Sequence, residues 1–264
     1  MTPIRKYPRT RHILDSGLQQ GDADPEAPGF EAIAGRHLVV EEKIDGANSA
    51  ISFDSGGQLL LQSRGHYLTG GPRERHFDLF KRWAHGVRDQ LRPVLGRRLV
   101  VYGEWVYAKH TIFYDSLPHY FLEFDVLDRE AEEFLSTPRR RALLAGLPIS
   151  SVPVLHEGPV AKTSELTALI APSAYKSPLW RDRLAAAAEI PPNKPDLVIR
   201  QTDPSDLMEG LYIKVEQDGV VVDRFKYVRQ DFLNTVLDSE SHWQSRPILP
   251  NRLATEPGEP LGAP

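Results

Sequence analysis

The tetrad Lys43-Ile44-Asp45-Gly46 puts an amine two residues from a carboxylate, with a glycine beside the acid. An unprotonated lysine attacks phosphorus well, but an ordinary lysine pKa of about 10.4 keeps the amine protonated at neutral pH. Desolvation and neighbouring cations favour the neutral form. Average composition yields K-x-D-G by chance in roughly one chain in twenty of this length, so its weight comes from the company it keeps. Gly103-Glu104 lies inside an apolar run, a second run opens with Glu209-Gly210 and carries Lys214, and a third holds Arg224-Phe225-Lys226. Charges in the middle of apolar strands are costly unless they face a site or a partner. The chain has no G-x-x-x-x-G-K-S/T, G-x-G-x-x-G, H-E-x-x-H or G-x-S-x-G motif. A bound nucleotide would therefore be held by side chains rather than by a glycine-rich backbone loop.

In their order, these segments resemble the covalent nucleotidyltransferase superfamily of ATP-dependent RNA and DNA ligases and capping enzymes. The motifs read KIDG (43–46), YGE (102–104) with FLEFD (121–125), EGLYIK (209–214) and RFK (224–226). Glu42 before the lysine, Asn48 five residues after it and Ser63-Arg64-Gly65 further on are most similar to RNA ligases that seal nicks in duplex RNA. YPRTRH and GEWVYAKHT also look like a bacterial RNA ligase branch.

That resemblance implies an activity and a set of roles. Lys43 would take AMP from ATP as a lysyl-AMP phosphoramidate, pass it to an RNA 5′-phosphate, and the 3′-hydroxyl would then seal the break and release AMP. Lys214 and Lys226 would contact the α-phosphate, and Arg64 the AMP or the 5′-phosphate end. Asn48 would serve sealing. Asp45, Glu104 and Glu209 would hold Mg²⁺ or Mn²⁺, mostly through water, with the first two also candidates for the ribose hydroxyls. Phe121, with Phe124 as the competitor, would stack on adenine. Glu42, through its carboxylate or its backbone, with Glu41 as the competitor, would accept from the adenine amino group. RNA ends are the expected partner.

The last motif departs from the family's lysine-x-lysine by opening with Arg224, which leaves that residue's role in doubt. One helix and a Pro/Gly-rich stretch are all that follow Val228, so the expectation is one adenylation domain over 1–238, without an OB-fold, and a mobile tail over 239–264. Substrate binding would then fall to a helical insert at about 163–190 and the basic N-terminus, or to a partner protein. A DNA ligase or capping enzyme is the second reading, against which the missing OB-fold counts. A module that binds nucleotide or RNA ends without catalysis is the third, against which Lys43, Glu104, Glu209 and Lys226 count.

The elements that must position these residues are read from periodicity. Strands are expected in HLVVEEKI, NSAISF, QLLLQS, RLVVYGEWVY, HYFLEFDVLD, GLYIKVE and VVDRFKYV. Asp45-Gly46 and Asp218-Gly219 read as turns. Helical spacing predicts a helix over 77–92 ended by Pro93 and Gly96, and another opening at Ser136-Thr137-Pro138. Residues 15–30 read as a loop. Strands with local hairpins and segregated helices give an α+β fold of antiparallel sheets flanked by helices, and the resemblance implies that it is the nucleotidyltransferase fold.

Composition is globular: 41% hydrophobic and 26% charged, with no cysteine. The last excludes disulfides, thiolate metal sites and cysteine nucleophiles, and suits a cytoplasmic protein. No apolar run is long enough to cross a bilayer. A net charge of −4 argues against tight nonspecific duplex binding. Local basic clusters remain, at Arg5 to His12, Arg73 with Arg75, Arg97 with Arg98, and Arg139 to Arg141. The AKHTIFYDSLPHY segment, with His110, Tyr114, Asp115 and His119, matches no metal spacing and reads as a loop.

Overall fold

The computed structural model describes residues 3–13, 27–238 and 246–255. The strands among them are β1 (Arg11–His12), β2 (Leu38–Lys43), β3 (Ala47–Phe53), β4 (Leu59–Ser63), β5 (Leu99–Trp105), β6 (Phe121–Asp128), β7 (Glu133–Leu135), β8 (Ser150–Ser151), β9 (Val154–Gly158), β10 (Gly210–Gln217) and β11 (Val220–Val228). The α-helices are α1 (Asp78–Leu95), α2 (Thr137–Leu144), α3 (Thr163–Thr167), α4 (Trp180–Ala188), α5 (Pro195–Arg200) and α6 (Gln230–Asp238).

The sheet runs in the order β4-β3-β5-β6-β7-β11-β10-β2-β9. Its ladders are antiparallel, except that β1 joins β11 and β8 joins β6 in parallel. Short β7 links two halves, β4-β3-β5-β6 and β11-β10-β2-β9. The first half is covered by α1, whose Phe80 and Leu91 pack with Ile51, Val101, Trp105 and Phe121. The second packs Leu38, Val40, Leu211, Ile213 and Phe225 under Leu166 of α3. The architecture is α+β, as the order of periodic segments indicated.

Several local readings change. Asp45-Gly46 is no hairpin turn, because β2 pairs with β10 and β9 whereas β3 pairs with β4 and β5. The dipeptide instead carries the chain from one half of the sheet to the other. Gly46 is required by space: a Cβ there would lie 2.7 Å from Val106 Cγ1 and 2.9 Å from the Trp105 carbonyl oxygen. Asp218-Gly219 does form the expected hairpin, with φ of 51° and 82°. Helix α1 runs through Pro93 to Leu95, and the Gly96 amide closes its last turn on the Arg92 carbonyl. Helix continues past the expected insert boundary as α5.

The tail expectation fails for residues 246–255. Leu249 and Asn251 are buried, and Asn251 ties to Tyr107, Tyr114, Tyr120 and Val106 through both its backbone and its side chain. Proline and glycine content marked that stretch as irregular, but irregular backbone can still be packed. Residues 239–245 and 256–264, and 15–26 of the expected loop, lie outside the described residues. No described helix is long and apolar enough to cross a membrane.

Candidate active site

Between the two halves of the sheet lies a cavity of about 290 Å³, lined by Lys43, Asn48, Arg64, Glu104, Phe124, Tyr212 and Lys226, with Glu41, Glu42, Ile44 and Val152. Register explains the convergence. Gly210 pairs with Lys43, so Glu209 arrives beside the amine. Asn48 pairs with Glu104 across β3 and β5, and Lys226 with Tyr212 across β11 and β10. Gly210 permits this approach, since a Cβ there would lie 1.9 Å from the Tyr227 carbonyl oxygen.

Lys43 Nζ lies 2.7 Å from Glu209 Oε1, with 24% of the lysine side chain still exposed. The sequence reading had cations depressing this amine. In the structure burial does press its pKa down, but Glu209, then Glu104 and Asp45, outweigh burial, and the net shift is upward. The acids carry the complementary strain. Burial pushes Glu104 up to about 8, partly offset by Lys43 and Arg64, and Glu209 up to about 7, partly offset by Lys43 and Lys226. Glu209 Oε2 is buried without a hydrogen-bond partner, as is Asn48 Oδ1.

Asp45 is held from the other side. Its Oδ2 accepts from the Thr111 and Ile112 amides, both at 2.7 Å, and its own amide donates to Tyr114 Oη. His110 Nδ1 lies 3.9 Å from Oδ1. The AKHTIF loop thus positions an acid without supplying a ligand cluster. Among the described residues no group of three histidine or carboxylate side chains could hold a metal. Asp45, Glu104 and Glu209 are therefore not a closed cage. The buried, unpartnered Glu209 oxygen and the raised Glu104 carboxyl nevertheless fit a hydrated divalent cation, which would satisfy and discharge them.

Three assignments change. Phe121 is fully buried, stacked on Phe80 at 5.4 Å and packed against Trp83, outside the cavity. Phe124 is the aromatic of β6 that lines it. Residues three apart in a strand face opposite sides, so only one of the two could reach the cleft, and the family spacing that favoured Phe121 pointed to the packed side. Lys214 is also fully buried, with Nζ 2.9 Å from Glu41 Oε2 and 3.3 Å from Asp125 Oδ1 and donating to the Phe124 carbonyl. It belongs to a charge network beneath the cavity, completed by Arg140 against Glu41 and Glu123. Arg140 is therefore no part of a basic surface. Glu42 spends its carboxylate on the Ser173 hydroxyl, at 2.5 Å, and the Ala174 amide. Neither glutamate before Lys43 has a carboxylate left open for adenine, so of the two routes expected at Glu42, which lines the cavity, the carboxylate one is lost and the backbone one stays open.

Arg224 packs its guanidinium 4.1 Å over the Phe134 ring and 3.9 Å from Asp125 Oδ2, away from the cavity. Asp115 binds Ser177 and Arg183, and His119 binds Phe121 backbone. Trp180 is buried, with the Lys176 and Arg181 cations each over its ring.

The N-terminus, expected only as a basic segment for substrate, forms one wall. Tyr7, Pro8, Arg9 and Thr10 line the cavity. Tyr7 Oη meets Asp125 and Tyr212, the Arg5 carbonyl accepts from Gln62 and Tyr102, and the Ile13 amide donates to the Lys226 carbonyl. YPRTRH carried the signal, a tyrosine and cations without a periodic pattern, but the partners of Tyr7 lie 118 and 205 residues away.

Lysine, acids, an amide and further cations from distant strands thus meet around one cleft. The RNA ligase family model matches residues 36–228, and the chain belongs to that family. No curated protein matches it in sequence. Among solved structures it is similar to Naegleria gruberi RNA ligase. A mutant of that enzyme with ATP and Mn has 16% identity and a TM-score of 0.53, covering 88% of this chain and 58% of that one. The same ligase with PPi has 18% identity and a TM-score of 0.51, covering 90% and 64%. At such identity the likeness establishes the fold, and the chain spans less than two thirds of the length of those ligase chains.

Proposed function

We propose that the protein is an ATP-dependent RNA ligase that acts on broken or nicked RNA through a lysyl-AMP intermediate. The observation that carries this reading is Lys43 Nζ, exposed to the cleft and 2.7 Å from Glu209, with Arg64, Glu104 and Lys226 lining the same cleft. Lys43 nitrogen attacks the α-phosphorus of ATP, a P–N bond forms, and the bond to pyrophosphate breaks. Glu209, raised to about 7, is the nearest group to take the departing proton. Lys226 and Arg64 offset charge on the phosphoryl oxygens. Phe124 offers the adenine its flat apolar face. AMP then passes to an RNA 5′-phosphate, and a 3′-hydroxyl attacks with AMP leaving. Asn48, whose Oδ1 has no protein partner, orients the ends.

A bound divalent cation would supply charge neutralisation beside Glu104 and Glu209, and Mg²⁺ or Mn²⁺ suits those oxygen donors. The Naegleria ligase solved with ATP and Mn supports the same choice.

The test is incubation with α-labelled ATP and Mg²⁺ followed by a denaturing gel. Label should stay on the protein and vanish in Lys43→Ala. Label from GTP alone would replace the reading with a capping activity, and none from either would leave a binding module.

A further inference from the structure

The loop whose Thr111 and Ile112 amides hold Asp45 also carries Lys109, which lines a second cavity of about 290 Å³. Its walls are of two kinds. Leu197, Val198 and Leu249 make an apolar side, and Lys109, Lys194 and Arg246 bring three cations. Among the described residues no acidic side chain lines it, in a chain whose net charge is −4.

Lys109 is only 9% exposed. Its Nζ donates to the carbonyls of His110 and Gln201, at 3.1 and 2.8 Å, which are neutral acceptors. An ammonium has three donors, so one remains. Burial first, and Arg246 second, press this amine down to about 7, with Asp45 offsetting them only in part. A buried cation whose near neighbour is another cation is costly, and a bound anion offsets that cost. The apolar side in turn suits the uncharged face of a nucleoside.

We propose that this cavity binds a phosphate group of the RNA strand, with its nucleoside against Leu197, Val198 and Leu249, as a site separate from the Lys43 cleft. The proposal rests on RNA being the substrate. It gives the helical section a specific task, since α5 supplies two of the three apolar residues.

The test is fluorescence anisotropy of a labelled 5′-phosphorylated RNA, without ATP, across a salt series. Lys194 is exposed, so Lys194→Glu changes charge at the rim. Affinity should fall roughly fivefold or more, and the slope of log affinity against log salt should shrink by about one. Val198→Trp, which fills the cavity without altering charge, should weaken binding as well. Thermal melting establishes that each variant is folded, and Lys194→Gln replaces the reversal if it is not. Unchanged affinity and slope in folded variants overturn the proposal. So does inorganic phosphate that raises the melting temperature of the parent alone while RNA affinity stays equal, because the cavity would then take a free anion. Since ATP is absent, failure here is distinct from failure of Lys43 labelling.

Discussion

A lysine 2.7 Å from a buried glutamate is stabilised as an ammonium, and nucleophilic attack requires that it be released. On the proposed mechanism Glu209 would have two opposed effects, holding the proton in place and accepting it on attack. Glu209→Gln removes the largest upward pull on Lys43, so the amine's pKa falls. In single-turnover lysyl-AMP formation the rate should drop, because the acceptor is lost, while the alkaline-rising limb of the pH profile moves to lower pH. A limb that stays put, or moves up, removes the ion pair from the mechanism. Glu104 gives a stability counterpart. Its carboxyl rises from 4.5 to about 8 on folding, so its contribution is complete below about pH 4.5 and disappears as pH rises through about 8. The melting temperature of ligand-free Glu104→Gln, relative to the parent, should therefore climb between those limits and level off above them. A constant difference across that window would mean Glu104 is not buried as an acid.

Strand β6 shows how one element divides between packing and chemistry. Phe121 stacks on Phe80 under α1, whereas Phe124, three residues on, lines the cleft. Phe121→Leu should cost about 1–1.5 kcal/mol in urea unfolding with little change in the KM for ATP. Phe124→Leu should do the reverse, raising that KM up to about tenfold. Beneath them Glu41, Glu123 and Asp125 face Lys214 and Arg140, all fully buried. Lys214→Met leaves carboxylates without their cation and should cost about 3–5 kcal/mol. If Lys214 served the α-phosphate instead, ATP affinity would fall with stability intact. The strands themselves were legible, because VVDRFKYV and GLYIKVE state their type through periodicity and the Asp218-Gly219 turn. Which face each charge took was not, because the slip at Tyr102/Gly103 is set by cross-strand fit rather than by either strand alone.

At the scale of the whole molecule, residues 7–10 wall the cleft while Asn251 buttresses the loop behind Asp45, and this is where sequence was least informative. Lys43, Asn48, Arg64, Glu104 and Lys226 could be picked out because each stands in a motif of the family that the sequence resembles. Tyr7 and Asn251 could not, since their meaning lies in partners over 100 residues away. Asn251 makes the point by experiment. Its Oδ1 accepts from the Tyr114 amide at 2.9 Å and its Nδ2 donates to the Val106 carbonyl at 2.8 Å. Tyr114 Oη in turn accepts from the Asp45 amide. Asn251→Leu keeps the volume but strands a buried donor and a buried acceptor, at about 1–3 kcal/mol each. Urea unfolding should show that loss, and lysyl-AMP formation should slow with it, because Asp45 loses its support. Asn251→Asp keeps the acceptor for Tyr114 but not the donor to Val106, and should fall between the two. If both variants label as fast as the parent while unfolding more easily, the C-terminal stretch buttresses the fold alone, and Asp45 is positioned by the 111–112 amides without help from Tyr114.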